Sequence, residues 1–362
     1  MTTRHRTTRP RIAFYAPMKD PDHPNPSGDR LIARLTLQAL SKAGFDASTI
    51  SRLRCLDMTG DPAAQAILRA EARAETAQLL LALAADPPAL WFTYHCYYKA
   101  PDLIGPAVAG ALGIPYVISE ASISPKRRSG PWAGFATRAK AAITRADRLF
   151  WTTARDRPAL EAAAQGAKMI HLPAFIDPGP NPGCRPAGDP LRLLTVAMMR
   201  PGDKLESYRR LAAGLAHLPG DWRLTVVGHG TARKAALAAL TPFADRLVHI
   251  GDINDSSLIR PHYEAADLMV WPGVNEGVGM AWLEAQAAGL PVIAEDGPAA
   301  RAVIGGGGLP PPDDPQAFAR AIIEAAADRP ALSRIARARV EAHHSLDAAA
   351  KILQSSLSAL LP

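Results

Sequence analysis

Cysteine is scarce in this chain: Cys55, Cys96 and Cys184 are all there is in 362 residues. An odd number at such wide spacing excludes a disulfide framework and offers no zinc-ligand pattern, and it suits a reducing, cytoplasmic setting. Long apolar runs are missing too. No stretch of about 18 uncharged apolar residues occurs, so no membrane-spanning helix is expected. There is no acidic excess; the formal net charge is +7. Those cations are spread along the chain, without the aromatic–basic interleaving of a single-strand or RNA binder, so no nucleic-acid partner is expected. At the start, Arg4, Arg6, Arg9 and Arg11 are followed by no apolar stretch. Met1–Arg11 therefore reads as a disordered basic arm rather than a secretory leader. No short-period internal repeat is present.

What is present is enough apolar material for a packed core, 48% of residues, in a length that suits two α/β domains. Short apolar runs alternate with helical patterns. Ile12–Ala16 reads as a first strand. Asp29–Ala43 puts Leu31, Ile32, Leu35, Ala39 and Leu40 on one helical face and stops at Gly44. Further strands are expected at Trp91–Tyr94, Tyr116–Ser119, Leu149–Thr152 and Met169–Leu172. The segment Pro173–Pro190, crowded with proline and glycine, cannot continue a helix or a central strand and reads as an interdomain linker. The alternation then restarts, with strands at Leu191–Ala197, Leu224–Val227, Leu247–Ile250, Leu268–Trp271 and Pro291–Ala294, and helices at Leu205–Leu218 and Arg233–Leu240. Ser333–Leu361 is Ala- and Leu-rich and reads as helical. Such alternation predicts parallel sheets covered on both faces, with ligands at the carboxyl ends of the strands.

The chemistry concentrates between Trp271 and Pro291. A strand ends at Trp271, a glycine-bearing loop follows, and a helix is expected from Met280 to Ala288, stopped by Gly289. Such a loop feeds backbone N–H groups into a helix N-terminus, a setting that suits a phosphate or a sugar hydroxyl. Gly277 and Gly279 would let a ligand approach the backbone closely. Glu276 in the loop and Glu284 on the helix supply carboxylate acceptors for sugar hydroxyls, both expected to point into the cleft. Elsewhere, Arg200 and Lys204 stand four apart on a strand-to-helix turn, where both can reach one diphosphate. Fixed cations stabilise the charge that develops on a leaving diphosphate and remove the need for a metal.

The run Glu276 to Glu284, continued by Ala285-Gln286-Ala287-Ala288-Gly289-Leu290-Pro291-Val292-Ile293-Ala294, resembles the signature of retaining glycosyltransferases of family four, "glycosyl transferases group 1", with the GT-B fold. The resemblance extends upstream through Val226–Gly230, Val248–Ile253 and Tyr263–Leu268. It is looser in the first half, through Ser27–Arg30 and Ala111–Tyr116. It implies two Rossmann-like, doubly wound α/β domains facing a central cleft: residues 1–180 on the acceptor side and 190–344 on the nucleotide-sugar side, with the helix 345–362 returning to the first domain. It also implies roles. Glu276 would contact the donor sugar and Glu284 the ribose, with the backbone of Gly277, Val278 and Gly279 between them. Arg200 and Lys204 would hold the diphosphate, Gly228 would line the donor site, and Ile253 would pack the base. In the first half, Gly28 would face the diphosphate and His95 would touch the donor sugar. The basic loop Ser124–Trp132 would meet an anionic acceptor or membrane headgroup. The family's two adjacent glycines near Ser27 are reduced to Gly28 here. After Ala294 the family's usual Glu gives way to Pro298-Ala299-Ala300-Arg301.

The expectation is thus a cytoplasmic hexosyltransferase, peripheral to the inner face of the membrane if the basic loop meets it, with a role in cell-envelope or polysaccharide biosynthesis. It would retain anomeric configuration, use a nucleotide-diphosphate sugar, and need neither metal nor cofactor. Glycan, lipid carrier and small molecule all stay open as acceptors. A nucleotide-sugar epimerase on the same architecture and a non-catalytic nucleotide-sugar-binding protein are the rival readings.

Overall fold

The computed structural model describes residues 9–25, 27–164, 166–183, 189–253 and 256–361. Most of the basic arm, Cys184 and Pro186 lie outside the described residues. The chain divides into two compact units: Met1–Pro173 with Ala349–Pro362, and Ala174–Ala348.

Unit 1 is built on six strands: β1 (Arg11–Tyr15), β2 (Asp46–Ser51), β3 (Leu90–Tyr94), β4 (Tyr116–Ser119), β5 (Arg148–Trp151) and β6 (Lys168–His171). They pair in the order β2-β1-β3-β4-β5-β6, every pair parallel. β3 and β4 are buried along their whole length, as inner strands with helices on both faces must be. Phe14 on β1 stacks with Phe92 on the neighbouring β3, and the Phe92 ring also meets that of Phe150 on β5, two strands further on. β2 was not foreseen. It is an edge strand of sequence DASTIS, mostly half-buried or exposed, so it lacks the apolar run that betrays its neighbours.

Unit 2 has β7 (Leu191–Val196), β8 (Trp222–Val227), β9 (Leu247–Gly251), β10 (Leu268–Val270), β11 (Val292–Ile293) and β12 (Gly307–Gly308) in the order β12-β11-β10-β7-β8-β9, again all parallel. β12, also unforeseen, is two glycines beside β11; a Cβ on Gly307 would stand 1.8 Å from the Val292 carbonyl oxygen. Asp267, fully buried before β10, locks that strand to β7. Its carboxylate takes the Arg192 guanidinium through Nε and Nη2, each at 2.9 Å, and the Arg192 backbone N–H at 2.9 Å.

The proline-rich segment is less free than its composition suggested. Proline has no N–H to give, but its carbonyl still accepts. Arg337 and Arg260 both donate to Pro178 O, at 2.9 and 3.1 Å. Ile176 is paired with the stretch after the third-last helix, through Ile176 N to His344 O at 2.8 Å and Leu346 N to Ile176 O at 3.0 Å. That pairing also explains why Ser333–Leu361 is not one helix. Helices Arg329–Arg339 and Leu346–Ser358 are separated by a π-turn, Val340–His344, with His344 Nδ1 2.8 Å from Ala174 O. Among the described residues no helix is long and apolar enough to cross a membrane.

Candidate functional site

In unit 2 the chain passes from β7 outward to β8 and returns on β7's other side as β10. The loops after β7 and β10 therefore emerge together at a topological switch point, where open α/β sheets leave a crevice. The first of them runs beside the loop after β8 through Ala197 N to Val227 O (3.1 Å) and Met199 N to His229 O (2.9 Å). Gly228 makes that approach feasible, since a Cβ there would stand 2.0 Å from Ala197 O. Its fixed contribution is backbone packing, whatever it does for a ligand. Arg200 then stands exposed, Gly202 turns the chain at φ +79°, and the helix Asp203–Leu215 begins with Lys204 in its first turn.

The loop after β10 is clipped to that same first turn. Val274 N donates to Ser207 Oγ (2.9 Å), and Asn275 Nδ2 donates to Asp203 Oδ1 (3.1 Å). Lys204 Nζ meets Glu276 Oε2 at 2.5 Å, with the Lys204 ammonium 5.6 Å above the buried Trp271 ring. Two residues 72 apart in sequence are thus one ion pair. Gly273 and Gly279 both sit at φ +73°, and a Cβ on either would fall 2.2 Å from the Trp282 ring. At Gly279 the space expected for a ligand is filled by tryptophan. Gly277 is exposed and has open space where a Cβ would be, so close approach is possible there; Val278 beside it is half-buried. The helix Met280–Ala287 follows with no side-chain cap, and Trp282 N and Leu283 N already donate to Gly279 O, so of the first turn the Met280 and Ala281 N–H groups are the ones left for a ligand or water.

Glu284 departs from the expected open carboxylate. Tyr263 donates its hydroxyl to Glu284 Oε2 at 2.8 Å, and burial pushes the Glu284 carboxyl above its ordinary value. Ile253 is half-buried beyond the end of β9, three strands from β10, and is not brought to the Lys204–Glu276 pair by the sheet order.

In unit 1, Ser27 Oγ caps the helix Gly28–Lys42 by accepting from Arg30 N (3.2 Å), and Gly28 has open space about it. Asp29, on that first turn, holds Oδ1 3.1 Å from His95 Nδ1. His95 directly follows β3 with φ +62°, and Glu120 directly follows β4 with φ +54°. Left-handed backbone at a residue with a side chain costs about 1–3 kcal/mol and gathers at functional sites. Tyr94 donates its hydroxyl to Glu120 Oε2 at 3.1 Å. Burial disfavours a charged His95, but the carboxylates of Asp29, Glu120 and Asp156 outweigh it and raise the imidazole above its ordinary value. Burial likewise works against an ionised Asp29, yet its contact with His95 keeps that carboxyl low. Burial raises Glu120 against the pull of His95. Glu120 carries no motif, and Asp29 falls within the Ser27–Arg30 run without having been given a role there; their signal is position, a helix start and a strand end at the same edge. The basic loop turns at Pro125–Arg127, and Arg127 lies over the rings of Trp132 (5.0 Å) and Tyr98 (5.2 Å) rather than free in solvent. Among the described residues no group of three or more His, Cys, Asp or Glu is arranged to hold a metal ion.

Residues 191–328 match the family model "Glycosyl transferases group 1", and that domain contains Arg200, Lys204, Glu276 and Glu284. A D-inositol 3-phosphate glycosyltransferase of Xylanimonas cellulosilytica is 36% identical over 93 residues, 23% of this chain and 21% of that protein. Its counterpart in Geodermatophilus obscurus is 29% identical over 256 residues, 63% of this chain and 57% of that protein. The chain thus aligns with only part of either relative. Solved structures share the architecture. Sucrose-phosphate synthase from Thermosynechococcus elongatus superposes with a TM-score of 0.70 at 21% identity, covering 97% of this chain and 99% of that one. HepE from Anabaena, in complex with UDP-glucose, gives 0.66 at 15% identity, covering 97% and 100%. The trehalose-6-phosphate synthase OtsA gives 0.69 at 13%, covering 98% and 100%. With two six-stranded parallel sheets, the chain has the GT-B fold.

Proposed function

We propose that this protein is a retaining glycosyltransferase that moves a hexose from a nucleotide-diphosphate sugar to an acceptor hydroxyl. The group 1 domain and the partial relatives support transfer of a sugar; the HepE complex supports a uridine-diphosphate hexose as the first donor to try. The observation that carries the reading is the Lys204–Glu276 pair. It sets a cation for a phosphate beside a carboxylate for a sugar hydroxyl, at the switch point of the sheet. Donor entry exchanges that one ion pair for two contacts, diphosphate with Lys204 and Arg200, sugar hydroxyl with Glu276. In the transfer, the bond from the anomeric carbon to the phosphate oxygen breaks and a bond to the acceptor oxygen forms on the same face. The acceptor proton passes to the departing phosphate, whose charge Arg200 and Lys204 hold. His95 of unit 1 is assigned to the same reaction, as the residue acting on the donor sugar, and Glu284 to the nucleotide's ribose.

The test is binding of UDP, GDP and ADP to the full chain by calorimetry, alone and with Arg200→Gln and Lys204→Gln. Saturable binding of one of them, weakened at least about tenfold by either substitution, is expected from the loss of a charge-assisted contact. No binding of any nucleoside diphosphate to the unaltered chain would refute the proposal.

A further inference from the structure

The two sheets end in four edge strands: β2 and β6 in unit 1, β12 and β9 in unit 2. An edge strand presents unpaired N–H and C=O groups to any other strand, and proteins blunt such edges with charge, polarity or shortness. Three of the four follow that rule. The exposed positions of β2 are Asp46 and Ser48, those of β6 are Lys168 and His171, and β12 is two glycines long. β9 does not follow it. Its exposed positions are Val248 and Ile250, at 54% and 39%. Among the described residues these are the exposed large apolar side chains that lie on a strand. A bulge adds local twist, but it does not set β9 apart. Its register with β8 skips Ile250, just as the register of β2 with β1 skips Ile50. The side chains make the difference.

Their spacing identifies what the edge fits. Burial alternates along β9: Leu247, His249 and Gly251 are half-buried, while Val248 and Ile250 are exposed and share one face. On the other face His249 Nε2 lies 2.9 Å from Gly228 O, which ties that ring to its own sheet. Let two copies of β9 meet antiparallel about a two-fold axis at His249. Val248 then falls opposite Ile250 of the second copy, and Ile250 opposite its Val248, so two β-branched pairs cover each other on the exposed face. Position 247, a leucine, meets position 251, a glycine. Position 246, an arginine, meets position 252, an aspartate, so no cation faces a cation and no acid faces an acid. A foreign strand would have to supply this complement, whereas a second copy of the chain carries it already.

We propose that β9 is the interface of a homodimer in which two unit 2 sheets join edge to edge, antiparallel, with His249 on the two-fold axis. The pairing uses the same strand in both copies, so association closes at two chains. It is independent of the transferase reading. Sedimentation velocity of the full chain over a range of concentrations reads the mass, and a rise from one chain to two, and no further, is expected. Val248→Lys with Ile250→Lys, both at exposed positions, should give a chain that melts like the parent by circular dichroism yet stays monomeric at every concentration. Ser48→Lys, which puts the same charge on the exposed edge of β2, should leave the dimer intact. Register is read by disulfide trapping. Chains with Val248→Cys mixed with chains with Ile250→Cys should cross-link to one another, and neither should cross-link to itself above the level of the unaltered chain, because position 248 stands opposite 250 and not opposite 248. A parent chain that is monomeric throughout overturns the proposal and leaves the edge to a strand of a different protein. A dimer that survives the folded lysine variant, assemblies that grow beyond two chains, or cysteine variants that link to themselves as readily as to each other overturn it as well. Should the lysine variant lose its fold, the trapping alone decides.

Discussion

At the scale of a single side chain, Lys204 pairs with Glu276 at 2.5 Å, and under the proposed function it is also the cation that meets the diphosphate. Replacing it with Ala should lower turnover about 100-fold or more, equivalent to a few kcal/mol of lost stabilisation of the leaving group. Steady-state kinetics with UDP-glucose and its acceptor would check this, and near-normal turnover would exclude the role. His95 offers a second test. Its pKa in the folded chain is raised, so the contact with Asp29 adds stability that is full below the ordinary imidazole value near 6.5 and fades as pH rises through the folded value. Asp29 is lowered, so its share is present above the ordinary carboxyl value near 3.9 and is lost as pH falls through the lower folded value. An NMR titration should place His95 above 6.5, and Asp29→Asn should move it down; an unmoved titration would mean the carboxylate does not hold the ring. Spacing singled out Arg200, Lys204, Glu276 and Glu284 in the sequence, and of these the structure pairs Lys204 with Glu276. The grouping of Asp29 and Glu120 with His95 was not legible, since what brings them together is the order of strands and helix starts along the sheet, 25 or more positions away along the chain in each case.

At the scale of elements, the pair β7–β10 is what sets the two candidate loops side by side, and Asp267 fastens it. Asp267→Ala leaves the Arg192 and Arg329 cations without their buried partner, with an expected cost of about 3–5 kcal/mol in denaturant unfolding. The Asp267 carboxyl is opposed by burial but held below its ordinary value by Arg192. Its contribution should therefore be complete at neutral pH and fall away in acid, and the variant should differ less from the parent near pH 2 than near pH 7. Gly279→Ala meets both the left-handed backbone and the Trp282 ring, and about 1–3 kcal/mol of destabilisation is expected. A variant as stable as the parent would show that the tryptophan yields. Strands with an apolar run were legible to within one or two residues. β2 and β12 were hidden because one is a polar edge and the other a glycine pair, stabilised by neighbours rather than by their own composition. In the proline-rich stretch no named helix or strand falls among the described residues, in keeping with its composition, but its carbonyl contacts were not legible. Composition reports missing donors, while Arg260 and Arg337 use its acceptors.

For the whole molecule, two cores imply two responses. A nucleotide that binds the loops after β7 and β10 stabilises unit 2 by about 2.7 kcal/mol at a hundred times its dissociation constant, and leaves the intrinsic stability of unit 1 alone. Calorimetry with saturating UDP should raise one component of the unfolding trace. A uniform shift of the whole trace would show that the units unfold as one. The division of the chain also has a consequence in time. Arg148 on β5 reaches the Ser356 carbonyl, and Leu353 and Leu357 are fully buried, so part of the core of unit 1 is encoded in the last residues of the sequence. During synthesis the ribosome emits the first sheet early but withholds its closing helix until unit 2 has been made. The earlier-born half must therefore wait, incompletely covered, while the later-born half is free to finish first.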